Sequence, residues 1–396
     1  MKSILFILMF TSLLLSKSEI PSPIPPTENV FMDLSVEKCG TECLNNMIEN
    51  GKVFSFLSVY KNHSEYDDIQ NAYDQYSKVF NMTKPQEISI KVAMLVPQKT
   101  IRRYAVSTVN SVLTYLIYKK FNFDLKIYNC EDERQDSIIN ALQNIKNDGF
   151  TYVIAPLTEV GARILTQNAD GLLVYIPTVN ISKIENPSPN IVFGGISYKD
   201  QIDKLLTYAT NKVAIFSDQS SIANELDKDV GTTTKDIVYQ KQFNNDRLEF
   251  RKILKWNKAL DDSSIFLNLP LVKTSLLASQ LRVYNRTPYN LLSTQINYNP
   301  MILTLTQYDD RKSLLIANSI SKTNTEITRA NEMLGGDIEF DWVNYSTTLG
   351  IDYIYEKYFL SNGKRNFPEV VVNGQVDYNT TIVSPKRYTL EPITTQ

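Results

Sequence analysis

Ile90-Lys-Val-Ala-Met-Leu-Val-Pro97 is a short apolar run stopped by proline, and Tyr152-Val-Ile-Ala-Pro156 is a second run of the same kind. Between them, residues 105–121 carry apolar side chains at helical spacing, Phe123-Asp-Leu-Lys-Ile-Tyr128 alternates as a strand does, and residues 137–145 return to helical spacing. A helix near residues 161–167 and a strand at 172–176 follow. Strand-like runs separated by helical patterns of about 10–15 residues predict βαβ units and a parallel sheet. In such sheets ligands bind beyond the carboxyl ends of the strands, which says where in this chain to look for function.

The rhythm continues downstream. Lys212-Val-Ala-Ile-Phe-Ser-Asp218 predicts a strand followed by a helix through Leu226. Residues 237–243 and 264–269 predict two more strands, followed by helices over 248–260 and 272–282. Residues 289–294 and 300–305 are further strand candidates. A long helix is expected over 342–360, closed by Gly363, and Val370-Val-Val-Asn-Gly-Gln-Val376 predicts a hairpin with a two-residue Asn-Gly turn.

Upstream, Met1-Lys-Ser-Ile-Leu-Phe-Ile-Leu-Met-Phe-Thr-Ser-Leu-Leu-Leu15 has the basic start and apolar run of a secretory signal. The alternative is an uncleaved N-terminal anchor, the one route by which the chain is expected to meet a membrane. The expected division is residues 1–18 as signal peptide or anchor, 19–33 as a Pro-rich linker, and 34–84 as helices. The helices, marked by Leu57, Ile69, Tyr73 and Tyr76, resemble a single tetratricopeptide unit, but one copy cannot bury its own face, which favours a helical appendage packed on the main domain. Residues 85–396 then form the α/β domain. There are three cysteines, and Cys39 and Cys43 are a candidate disulfide in an oxidising compartment, the alternative being two half-buried thiols.

The 396 residues carry a net charge of −2 with basic residues scattered, which gives no electrostatic case for nucleic acid. The single histidine, His63, argues against a Ser-His-Asp or Cys-His site and against multi-histidine metal sites. No glycine-rich phosphate loop follows a strand. No metal, cofactor or enzymatic activity is therefore expected. Glu131-Asp-Glu133 reads as a solvated turn that starts the next helix, where acids suit the dipole. Cys130 beside it has no base to activate it.

The order of elements resembles the type I periplasmic-binding fold, the class of the branched-chain amino-acid receptors. Lys91-Val-Ala-Met-Leu-Val-Pro97 is similar to that family's opening strand, Tyr152-Val-Ile-Ala-Pro-Leu-Thr158 to the strand and loop that hold a ligand's charged ends, and Leu172-Leu-Val-Tyr-Ile-Pro-Thr-Val-Asn180 to the next strand and ligand loop. Phe193-Gly-Gly-Ile196 sits where the chain would cross to a second lobe. The resemblance implies an α/β, two-lobed fold of parallel sheets flanked by helices, preceded by a short α-helical region. The first lobe would span about 88–196 plus returning segments from 300–360, and the second about 197–299 plus the C-terminal strands. A receptor of this kind would use Thr158, Thr178 and Asn180 in the first lobe and Ser217 and Gln219 across the cleft. The loops depart from that pattern, since Leu157-Thr-Glu-Val160 offers one hydroxyl and a carboxylate.

Helical residues placed before this fold also resemble the lipoprotein activators of penicillin-binding proteins, which act by protein contact. The expectation is therefore a non-enzymatic, periplasmic scaffold or regulator in an envelope complex: a cell-wall synthase, or a secretion or flagellar motility machine. The aromatic set Trp342, Tyr345, Tyr353 and Tyr358 reads first as core packing at helical spacing; the alternative is that part of it is a contact surface, since such residues dominate interfaces. The alternative is a solute receptor feeding a transporter or sensor.

Overall fold

The computed structural model describes residues 39–60, 66–80, 86–234, 236–244, 249–359 and 365–393. The expected leader and linker, the stop at Gly363 and the first residue of the helix expected at 248–260 lie outside the described residues. The chain divides into two compact units between Gln86 and Glu87. The first holds helices Thr41–Glu49, Val53–Val59 and Asp67–Val79 around buried Leu44, Phe56, Leu57 and Ile69. Cys39 and Cys43 are disulfide-bonded at its start, with Cα atoms 5.4 Å apart.

The second unit carries the described strands, in chain order β1 Gln86–Val96, β2 Phe121–Asn129, β3 Tyr152–Ile154, β4 Leu173–Ile176, β5 Ile191–Phe193, β6 Val213–Asp218, β7 Ile237–Phe243, β8 Ser264–Asn268, β9 Asn290–Ser293, β10 Leu314–Asn318, β11 Val370–Val372, β12 Gln375–Asp377, β13 Thr381–Pro385 and β14 Leu390–Pro392. They form two seven-stranded sheets, ordered β11-β12-β5-β4-β3-β1-β2 and β14-β13-β10-β9-β8-β6-β7. Pairing is parallel through the centres, from β12 to β1 and from β10 to β7, and antiparallel only at β11/β12, β10/β13 and β13/β14. Each sheet is buried on both faces, which is why β1 reads as one apolar run: Ala93 and Leu95 join one core cluster, and Ile90, Val92, Met94 and Val96 join the other. Every residue of β6, β8 and β9 is likewise buried.

Three segments differ from what the sequence predicts. Residues 300–305 are not a strand; Ile302–Leu305 is helical, started by Asn299, whose side chain accepts from Met301 N at 2.9 Å. The return to the first lobe comes after β10 rather than near residue 300, because β10 pairs with β9 in the second sheet. Glu133 is not in a solvated turn; it is 8% exposed and bonded into the first lobe. Among the described residues no helix is long and apolar enough to cross a membrane.

Candidate functional site

The chain passes between the sheets at residues 194–197, 319–324 and 378–380. These segments are bonded to one another and to both lobes. Tyr378 donates to Gly194 O at 2.6 Å, and Gln375 and Asn180 both donate to Gly195 O at 3.0 Å. Gln201 donates to Ser319 Oγ at 2.7 Å, and Ser319 Oγ lies 3.0 Å from Thr380 Oγ1. In a fold of two parallel sheets joined in this way, ligands bind in the crevice beyond the carboxyl ends of the strands, beside such a hinge.

Side chains from both lobes meet across it. Tyr198, which opens the second-lobe helix Tyr198–Leu206, lies beside the first-lobe Trp342. Burial pushes the Tyr198 hydroxyl above its ordinary value, and Tyr104 adds to this. The rings of Tyr298 and Phe340 are 5.4 Å apart, and Tyr298 packs against the core of each lobe. Lys183, from the turn after β4, pairs with Glu225 on the second-lobe helix Ser221–Thr233. Burial alone would lower the Lys183 ammonium, but Glu225, with Glu159 and Asp229 beyond it, outweighs burial and holds it above the usual lysine value.

Charged groups also stand at the strand ends. Asp218, 5% exposed at the end of β6, accepts from Ser220 and pairs with Lys273 at 3.6 Å. Burial would raise its carboxyl, yet Ser220 and Lys273 hold it below the ordinary range. Asp341 caps helix Trp342–Tyr358, accepting from Val343 N at 2.9 Å, and burial raises its carboxyl against the pull of these amides and of Arg103.

The residues expected at the site fall in three places. Thr158, Thr178 and Asn180 are brought together at the ends of β3 and β4, each with its side chain engaged: Thr158 donates to Glu133, Thr178 to Leu157 O, and Asn180 to Gly195 O. Gln219 is exposed at the end of β6 and donates to Asn244 at 3.0 Å. Ser217 does not reach the crevice. It is fully buried on the face of β6 covered by helix Ser221–Thr233, and donates to Asp227 at 2.6 Å.

The aromatic set divides as well. Tyr345 is 1% exposed and donates to Glu369 at 2.6 Å, so it is core and not contact surface. Tyr358 packs on Tyr152 with ring centroids 5.0 Å apart, Tyr353 accepts from Lys357, and Trp342 stands at the crevice. Tyr104, Tyr198, Tyr298, Phe340, Asp218 and Glu133 were missed. Asp218, Tyr198, Glu133 and Tyr298 carry a signal of position, lying within five residues of a strand end or a crossing, and Tyr104 and Phe340 carry none. Among the described residues no group of three or more His, Cys, Asp or Glu is placed to hold a metal ion.

No protein-family model matches the chain, and no curated protein matches it in sequence. Solved structures do match in fold. An amino-acid ABC transporter substrate-binding protein from Pseudomonas fluorescens aligns with a TM-score of 0.56 at 11% identity, over 78% of this chain and 96% of that one. A solute-binding protein from R. palustris, solved with 4-hydroxybenzoate, aligns at 0.53 and 14% identity, over 78% and 96%. An extracellular ligand-binding receptor from Verminephrobacter eiseniae aligns at 0.52 and 11% identity, over 76% and 99%. The chain has the two-lobed type I periplasmic-binding fold. The expected envelope scaffold is corrected by the same finding: the matching structures are those of solute-binding proteins, and nothing in them supports a cell-wall, secretion or flagellar role.

Proposed function

We propose that the chain is a non-enzymatic solute receptor, working outside the cytoplasm, that presents its ligand to a membrane transporter or sensor. The observation that carries this reading is the two-lobed fold with side chains of the two lobes meeting beside the crossings. Aromatic side chains from both lobes meet beside the crossings, in a fold shared with solute-binding proteins over nearly their whole length. On this reading Tyr104, Tyr198, Tyr298, Phe340 and Trp342 supply flat apolar surface to the ligand when the lobes part. On this reading Thr158, Thr178, Asn180 and Gln219 orient a small molecule, exchanging their present partners for it. Wide apolar surface with few polar groups is the usual make-up of a small-molecule site.

The test is a thermal-shift screen of the full chain against amino acids, amides, amines and aromatic metabolites. A true ligand at 100 times its dissociation constant stabilises the fold by about 2.7 kcal/mol. The shift should disappear in Trp342→Ala with circular dichroism unchanged. A broad panel that shifts nothing sinks the reading.

A further inference from the structure

The second sheet has two ends, one of which faces the crossings. β10 ends at Asn318 opposite Thr381, where β13 begins, and the chain passes between the lobes beside this pair. The other end holds the starts of β6, β8, β9 and β10 and the turn at residues 386–389 between β13 and β14. Backbone bonds join these starts side by side. Ser264 N donates to Lys212 O at 2.9 Å, Tyr289 N to Ser263 O at 2.9 Å and Leu291 N to Ser313 O at 3.0 Å. Arg311 fastens the last turn, its Nη2 donating to Lys386 O at 3.0 Å and to Arg387 O at 2.9 Å.

This end is aromatic and basic. Trp256 lies in the turn that leads into β8, where Lys258 N donates to Trp256 O at 3.1 Å; Tyr289 immediately precedes β9, and Tyr388 sits in the last turn. They are 81%, 62% and 81% exposed, although tryptophan is on average highly buried. Cations stand among them. The Lys255 ammonium is 4.9 Å from the centre of the Trp256 ring, and Lys212, Lys258, Lys386 and Arg387 lie in the neighbouring loops. Among the described residues none of these five is in an ion pair, whereas Asp261 and Asp309 are held by Arg286 and Lys312, at 2.9 and 3.4 Å. Asp236, Asp262 and Glu391 are left to face the five, an excess of positive charge in a chain whose net charge is −2. Tryptophan and tyrosine have an apolar body and a polar tip, which suits the headgroup level of a bilayer, and basic side chains are drawn to its anionic lipids. Four of the five cations are lysines, which protein interfaces avoid.

We propose that this end of the second lobe is a peripheral contact for an anionic membrane surface. Trp256, Tyr289 and Tyr388 enter the headgroup layer, and the cations around them meet lipid phosphates. The contact lies at the end of the sheet away from the crossings, so it leaves the hinge side of both lobes free, and it does not depend on the receptor reading.

The test uses the full chain, Trp256→Phe, and the double variant Lys255→Gln with Lys258→Gln. Each is mixed with vesicles of phosphatidylcholine alone, or of equal parts phosphatidylcholine and phosphatidylglycerol, with and without brominated acyl chains. On the mixed vesicles the native chain's tryptophan emission should move to the blue and be quenched by bromine. Trp256→Phe, which keeps Trp342 as its one indole, should show neither change. The lysine variant should need about tenfold or more lipid for the same quenching, given the contribution of each basic residue near such a surface. Phosphatidylcholine alone, or high salt, should abolish the effect. A native chain that sediments with the mixed vesicles while Trp256 stays unquenched overturns the proposal, because residues 1–15 would then be binding alone. So does a chain that does not bind them. Equal quenching on phosphatidylcholine alone, or unchanged binding by the lysine variant, overturns it in favour of apolar adsorption. Polyglutamate that moves the Trp256 emission as far as the mixed vesicles do overturns it in favour of an acidic protein partner.

Discussion

Tyr175 fills the centre of the first lobe at 1% exposure, with its hydroxyl 3.2 Å from Ser346 Oγ. The chain makes room for it with two glycines. A Cβ at Gly194 would collide with the Tyr175 hydroxyl, and one at Gly350, in the middle of helix Trp342–Tyr358, would fall on the Tyr175 ring. Glycine inside a helix costs about 1 kcal/mol relative to alanine. Overpacking a core costs up to about 3 kcal/mol. The second effect wins here, so Gly350→Ala should lower the unfolding free energy by about 2 kcal/mol in urea titration. Gly231 is the control. It is also helical and exposed, and its Cβ would meet only Ile237 Cδ1, at 3.8 Å. Gly231→Ala should raise stability by about 0.5–1 kcal/mol. If both variants behave alike, packing around Tyr175 is not what requires glycine at 350.

At the level of elements, short helices are secured by side chains rather than by length. Helix Tyr308–Arg311 has four residues and a capping box, with the Asp310 carboxylate reaching back to Gln307 N at 3.2 Å. The same carboxylate accepts from Ser279 at 2.8 Å and from Arg282, both on helix Leu271–Val283, and so binds the two helices together. Burial would raise the Asp310 carboxyl, but Arg282, Ser279 and the Gln307 amide together hold it below the ordinary range. A folded-state value below the unfolded one, about 3.9, contributes stability that is present above pH of about 4 and is lost as pH falls through the folded value. Asp310→Asn should therefore cost stability at neutral pH, about 1.5–3 kcal/mol for a bond to a charged group, and flatten the acid side of the stability–pH curve. An acid limb of unchanged steepness would show that other carboxylates control it.

The same scale explains which elements the sequence reveals. β1, β6 and β8 are legible because a strand buried on both faces is a continuous apolar run. The Asn373-Gly374 turn is legible because both residues need positive φ, and they have it, at 50° and 81°. β5, β10, β13 and β14 have three to five residues each, too few to show a period, and hold their places through neighbouring strands. Pro300-Met-Ile-Leu-Thr-Leu305 reads as a strand on composition and becomes helical because the Asn299 side chain starts a turn there.

For the whole molecule, the fold was legible in the alternation of strand and helix, but the site was legible only in outline. Loop positions at strand ends can be counted along the chain. Which lobe's side chains meet across the gap depends on how the crossings fold. Lys183 and Glu225 show this, being 42 residues apart in sequence and on opposite lobes. Their side chains are 36% and 30% exposed, so the pair is worth no more than about 1 kcal/mol. That is still about a fivefold tilt between open and closed lobes if the two lie close in free energy. Lys183→Glu should widen the distance between spin labels placed one on each lobe of the ligand-free chain, and the swap Lys183→Glu with Glu225→Lys should bring it back. High salt should reproduce part of the widening, since screening weakens a pair this exposed. The pH dependence has a defined sign. Lys183 is held above its unfolded value, about 10.4, so the closing contribution is complete below that pH and is lost as pH rises through the folded value. Unchanged distances in the single variant would mean that closure rests on the Tyr198–Trp342 and Tyr298–Phe340 contacts alone.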